Sequence, residues 1–397
     1  MKKLLLSTTA IGLFAAGSAL AEGPTVKVGG YADFQVGSGD QASVYTQVDD
    51  GTYSRDLHTR TDTELHINVD GKTDSGLGYG AYIELEADVN ADDNTAAANN
   101  KAERTYIYVE SGFGRVEAGA TGDAGDALRV DAGTIARATG GIAGDFYHYV
   151  NLRGDAEAAN TNYYILPGLP TASGLLGNAG DGDISARATA NKLSYYSPRI
   201  QGLQAGLSYT PDQDERGTAA GFSGGHDTSL ENVLNVGLNY QTQLNDVTIE
   251  AAVTGETGDK ENTAAAIATT DGLEAYALGL SAGYQGFTLA GSYGSVDEFG
   301  NTITDNTSAS YWTLGGAYEF GPFATSLTYL ASEVENEDGT NDAEFSNLSV
   351  GVDYQLAPGL VPYAEVSFFD TDNNIADTST TSDNDGTVFL VGTQLSF

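Results

Sequence analysis

The sequence predicts an all-β fold, a 16-stranded antiparallel transmembrane β-barrel with an inward-folded third loop. Three observations lead there. The chain opens with an export signal, side chains alternate with period two through most of the remaining chain, and short and long connections take turns between the alternating stretches.

Lys2 and Lys3 form a positive start, Leu4 to Ala16 is an apolar stretch, and Ala19-Leu20-Ala21 is a small-x-small cleavage box. Residues 1–21 are therefore read as a signal peptide, and residues 22–397, beginning at Glu22, as the barrel. Past Glu22 no apolar run approaches the roughly 20 residues that a spanning helix needs. A helical membrane protein is excluded, which leaves a periplasmic protein, a secreted protein or an outer-membrane barrel. The absence of cysteine suits all three.

Sixteen strands are predicted near 25–36, 60–70, 79–89, 102–110, 113–120, 191–197, 202–210, 230–241, 246–256, 273–284, 287–296, 309–320, 323–333, 344–356, 360–370 and 386–397. The third illustrates the pattern. Tyr79, Ala81, Ile83, Leu85, Ala87 and Val89 share one face, and Glu84, Glu86 and Asp88 share the other. Very short links such as Ser111-Gly112, Leu244-Asn245, Gln285-Gly286, Gly321-Pro322 and Ala357-Pro358-Gly359 alternate with long polar ones. A membrane barrel with turns on one rim and loops on the other requires that alternation. An even count puts both ends on one rim, where the first and last strands pair and remove the open edges.

The aromatics decide which face meets lipid. Tyr276-Leu278-Leu280-Ala282-Tyr284 carries a ring at each end with aliphatic or small residues between, as do Phe287-Leu289-Gly291-Tyr293 and Phe323-Thr325-Leu327-Tyr329. That is the pattern of two girdles flanking an apolar band roughly 25 Å tall. The opposite faces carry mid-strand charges, among them Glu84, Glu86, Arg104, Arg115, Glu117 and Asp353, which belong in a wet lumen. Phe389, Val391, Thr393, Leu395 and Phe397 share an apolar face, so the last residue is a girdle aromatic.

Residues 121–190 break the alternation. A connection this long in a compact fold is usually functional or disordered. It carries Asp123, Asp126, Asp131 and Asp145 together with Arg129, Arg137 and Arg153. A barrel of about sixteen strands leaves an aqueous channel too wide to sieve solutes, and an inward-folded loop is the simplest device to narrow it.

Charge narrows the function classes. The chain has 17 basic and 55 acidic residues. Without Lys2 and Lys3 this becomes 15 against 55, or −40. Nucleic acid is excluded as a partner by repulsion. The links around Glu333, Glu335, Glu337, Asp338, Asp342 and Glu344, and those around Asp370, Asp372, Asp377, Asp383 and Asp385, are densely acidic. Such carboxylates would concentrate cations at the mouth, which gives an expected weak to moderate cation preference. They also suit Ca2+ or divalent bridges to lipopolysaccharide, although a solvated acidic surface accounts for them equally. No resident cofactor is expected.

Several segments, taken in order, resemble one family. They are Val26-Lys27-Val28-Gly29-Gly30-Tyr31-Ala32-Asp33-Phe34, then Ser111-Gly112-Phe113-Gly114-Arg115-Val116-Glu117-Ala118-Gly119 running into the acidic insertion. Next come Asn191-Lys192-Leu193-Ser194-Tyr195-Tyr196-Ser197-Pro198, then Gly202 to Tyr209, and the ending Gly392-Thr393-Gln394-Leu395-Ser396-Phe397. Over essentially the whole chain past residue 21, the sequence resembles the general porins of Gram-negative bacteria, in their alphaproteobacterial, Rhodobacter-type branch. The resemblance implies a homotrimer in the outer membrane, a water-filled channel for passive diffusion of ions and small hydrophilic solutes, and a third loop lining an eyelet. It implies acidic loop residues facing a basic wall, and it favours calcium somewhat. It also implies that Phe397 is the signal read by the barrel assembly machinery.

By strand parity Lys27, Arg60, Arg104 and Arg115 fall on the lumen side and form the expected basic wall. Asp123, Asp126 and Asp131 from the loop, with Glu84 and Glu86 from the wall, form the expected acidic side. The small lipid-side faces Val26, Val28, Gly30, Ala32 and Gly114, Val116, Ala118, Ala120 suit close subunit packing. No enzyme is expected, because His58, His66, His148 and His226 sit in no nucleophile or metal motif, although His148 lies near Asp145. The rival readings are a substrate-specific outer-membrane channel and a barrel-anchored surface binding protein.

Overall fold

The computed structural model describes residues 23–42, 47–48, 51–52, 57–87, 102–150, 164–165, 167–170, 175–176, 189–213, 230–260, 272–297, 307–336, 342–374 and 383–397. The expected signal peptide, most of 151–188 and the tips of the acidic loops lie outside the described residues.

Sixteen strands close into one barrel. They are β1 (Thr25–Gln41), β2 (His58–Lys72), β3 (Gly78–Glu86), β4 (Ala102–Ser111), β5 (Gly114–Ala120), β6 (Asn191–Tyr196), β7 (Leu203–Asp212) and β8 (Leu230–Leu244). The second half holds β9 (Val247–Lys260), β10 (Leu273–Tyr284), β11 (Phe287–Asp297), β12 (Thr307–Phe320), β13 (Phe323–Asn336), β14 (Asp342–Tyr354), β15 (Leu360–Asn374) and β16 (Asn384–Ser396). Each pairs antiparallel with its chain neighbours, and β1 pairs with β16. Gly30 N–H donates to Phe397 O at 3.1 Å, and Phe397 N–H donates back to Gly30 O at 3.0 Å, so the last residue is fixed to the first strand. Two small two-stranded ribbons, Gln47–Val48 with Gly51–Thr52 and Tyr164–Ile165 with Leu175–Leu176, form sheets of their own.

All the expected strands form, with shifted ends. β1 runs on to Gln41, because Gly37, Ser38, Gly39 and Asp40 carry no apolar alternation to mark their strand. The turn between β10 and β11 shows why the short links are short. Gln285 and Gly286 both take positive φ, at 47° and 85°, the left-handed pair whose twist matches that of a hairpin.

The faces divide as the alternation requires. Leu280 is 57% exposed and Leu289 64%, on the outer face. Rings at the turn rim pack sideways between strands, with Phe287 on Tyr318 at 3.9 Å and Phe323 against Tyr354 at 4.7 Å. Hydrocarbon exposed in a continuous outer band is stable only in lipid.

The inner face is not polar throughout. Leu273, Leu330, Phe345, Phe369, Val388 and Leu390 point inward and are buried. They enclose Ile142, Phe146, Tyr149 and Leu169 of the connection between β5 and β6. A small apolar core thus sits inside the barrel, between wall and connection. Each such buried side chain contributes about 1.5–3 kcal/mol.

Candidate functional site

The described part of the β5–β6 connection begins with α1 (Ala124–Leu128) and continues through three short 3-10 turns to Val150. Asp123 caps α1, its carboxylate accepting from Asp126 N–H at 2.8 Å. The segment then tracks wall residues of inward parity from β7 round to β1. Ala124 N–H donates to Ser208 Oγ (2.9 Å), Ala132 N–H to Thr313 Oγ1 (3.2 Å) and Arg137 N–H to Ser326 Oγ (2.9 Å). Ala138 N–H donates to Asp353 (2.6 Å), and Gly141 N–H to Glu365 (3.1 Å). Tyr149 Oη donates to Gln35 on β1 at 3.1 Å.

These strand residues are therefore partners for backbone donors that no helix or sheet satisfies. Inward glycines make room for the approach. A Cβ on Gly279 would stand 1.7 Å from Val130 O, and one on Gly351 would stand 2.7 Å from Arg137 O.

β1 to β5 carry the expected basic residues, which fall into two groups rather than one ladder. Lys27 and Arg115 lie near the turn rim. Lys27 meets Asp70 at 3.3 Å, Tyr108 also donates to Asp70, and Arg115 lies over the Tyr108 ring at 3.7 Å. Arg115 also pairs with Glu110 (3.1 Å) and Glu117 (2.6 Å). Arg60 and Arg104 lie elsewhere. Arg60 reaches Asp62 (3.3 Å) and Asp145 of the connection (3.6 Å), and Arg104 reaches Glu84 (3.7 Å). Lys27 is level with Asn68, and Arg60 with Gln35. The eight steps between Lys27 and Gln35 on β1 span roughly 26 Å of strand.

The expected acidic residues also divide. Asp123 and Asp131 are buried at 2% exposure, whereas the Asp126 side chain is 36% exposed. Burial pushes the Asp123 carboxyl above the usual carboxylate range, with nearby Asp126 adding to the shift. Asp131 accepts from Thr134 N–H at 3.1 Å and faces Arg129 at 3.4 Å. Burial works against the Arg129 cation, but Asp131 and Asp126 outweigh it and hold the guanidinium above its ordinary value. Glu84 is buried against Arg104 and Tyr82, and Glu86 stands opposite Glu64. His148 lies 4.0 Å from Asp145.

Two groups escaped the sequence reading, and of a third the strand parity gives only Tyr82 and Tyr106 as inward, with no convincing track. A bulge between Glu84 and Leu85 leaves Glu103 extra on β4, so Glu103 joins Glu64 and Glu86 although Arg104 also faces inward. Strict alternation hides such a residue. Lys192 on β6 is buried with its ammonium donating to Thr121 O, and its strand parity was there to be read. A row of rings crosses the wall: Tyr31 to His66 at 6.3 Å, His66 to Tyr82 at 5.8 Å and Tyr82 to Tyr106 at 5.4 Å.

A closed sixteen-strand barrel, apolar outside and ionised along part of its inner wall, defines an outer-membrane channel-type protein. The family model described as Gram-negative porin matches residues 7–374, and the chain belongs to that family. It is 28% identical to an uncharacterized protein of Rickettsia bellii, over 100% of both chains. Its fold is similar to an anion-selective porin from Comamonas acidovorans (TM-score 0.59, 15% identity, covering 94% of this chain and 100% of that one). It is also similar to a mutant of Rh. blastica porin (TM-score 0.53, 17% identity, covering 94% of this chain and 100% of that one). The Rhodobacter-type resemblance and the outer-membrane location agree with these matches.

Proposed function

We propose that this protein is a passive diffusion channel for ions and small hydrophilic solutes, weakly cation-selective and working as a homotrimer. The observation that carries the reading is the seating of residues 124–149 against the inner wall by hydrogen bonds and a small apolar core. A segment held there narrows the channel and keeps a fixed opening beside β2 to β5. We assign Asp126, Glu84, Glu86, Arg60 and Arg104 to that opening, while Lys27 and Arg115 line the exit near the turns. Asp123 and Asp131 support the segment from behind. Carboxylates outnumber cations along this wall, which favours cation passage. Residues 1–21 are taken to be removed on export, and Phe397 to serve barrel assembly.

The smooth outer faces of β1 and β5 supply the subunit contact, and lipid with lipopolysaccharide surrounds the rest. The test is reconstitution in a planar bilayer under a potassium chloride gradient. Stepwise conductance with a cation-sided reversal potential is expected, and absence of steps or an anion-sided potential contradicts the reading. A channel with a preferred solute is the second reading, favoured by the ring row from Tyr31 to Tyr106. Transient current block by that solute, lost in Tyr82→Ala, distinguishes it.

A further inference from the structure

We propose that Glu64, His66 and Glu84 form a site for a divalent transition-metal ion of the zinc class on the channel wall. Glu64 and His66 are two residues apart on β2 and so share its inner face, and Glu84 on β3 is the direct cross-strand partner of His66. Glu64 Oε2 lies 2.7 Å from His66 Nε2, and Glu84 Oε2 lies 3.9 Å from it. One ligand atom from each residue falls within 4.8 Å of the other two. Ligands held about 2.0–2.1 Å from a tetrahedral zinc stand roughly 3.3 Å apart, between the two separations seen. A fourth position would face the lumen and take water.

The imidazole sets this cluster apart from an ordinary solvated acid patch. It is aimed at two carboxylates from different strands, and it is the donor that zinc-class ions favour and that calcium and magnesium, with oxygen-only ligand sets, do not need. The outer partners orient the ligands. Tyr31 Oη donates to Glu64 Oε1 at 2.7 Å, which turns Oε2 toward His66. Arg104 lies at Glu84 Oε1, which leaves Oε2 on the His66 side, where Tyr82 Oη also donates to it. Second-layer contacts of this kind fix ligand orientation in metal sites. Glu86 and Glu103, grouped around Glu64, add negative potential beside the ion.

The test is calorimetric titration of the refolded full-length barrel in detergent at neutral pH with zinc chloride, then with calcium chloride. One zinc site is expected that excess calcium does not displace. His66→Gln abolishes it, Glu64→Gln and Glu84→Gln each weaken it, and Tyr31→Phe weakens it by about 10-fold. Heat-modifiable electrophoretic mobility checks that each variant is folded, and the zinc-against-calcium contrast in the unaltered protein needs no variant. Absence of zinc binding, equal binding of calcium, or zinc binding unchanged in folded His66→Gln would each overturn the site. Binding does not depend on conduction. A barrel that conducts and ignores zinc defeats this site alone, and one that binds zinc without conducting defeats the channel reading alone.

Discussion

At Gly279 the inner wall has space for a hydrogen and nothing larger, because Val130 O would lie 1.7 Å from any Cβ there. Gly279→Val should therefore push the segment after α1 off the wall while sparing the barrel, because the nearest atoms to the added Cβ all belong to Val130 and none to the neighbouring strands. The expected outcome is a larger or noisier unit conductance with unchanged heat-modifiable mobility. Unchanged conductance would mean that the contact is not what holds the segment. Asp123 gives a milder case. Its carboxylate caps α1, so Asp123→Ala should cost about 1 kcal/mol of local stability. Faster hydrogen exchange confined to residues 124–130 is the measurement.

Selectivity is also argued residue by residue. Neutralising Glu86 and Glu103 together should lower the cation preference, and Arg104→Gln should raise it, both read from reversal potentials. Glu103 is the instructive member. Nothing in the alternation reveals it, because a one-residue bulge changes parity without changing composition.

Among the elements, the strands were legible, and the insertion was legible in its place in the chain but not in its internal turns. Period-two alternation gave β8, β10, β12 and β13 close to their observed limits, because one face of each meets hydrocarbon and must be apolar throughout. Leu273, Phe345 and Phe369 show where that logic stops. They are apolar and face inward, beside outward rings such as Phe368, and alternation cannot rank two apolar faces. What they pack against comes from Ile142, Phe146 and Leu169, spread over short 3-10 turns and a later stretch with no regular period. Phe146→Ala removes the central ring of that cluster, a loss of about 3–5 kcal/mol for a buried site. Because Phe146 is in none of the barrel's strands, the expected reading is unstable channel conductance rather than failure to assemble. Loss of the folded barrel would show instead that the inner core is needed to close it.

For the whole molecule, one division of side chains fixes the solvent on each side of the wall. Leucines with half or more of their surface open outside, and paired ions inside, make sense only with lipid beyond the barrel and water within. The lack of native cysteine makes this directly measurable. Glu86→Cys and Leu280→Cys, each reconstituted in a planar bilayer, would be exposed to a charged, membrane-impermeant methanethiosulfonate reagent. Current through Glu86→Cys channels is predicted to fall stepwise on reaction while Leu280→Cys channels stay unreacted and unchanged; modification at 280 with none at 86 would contradict the orientation of the wall.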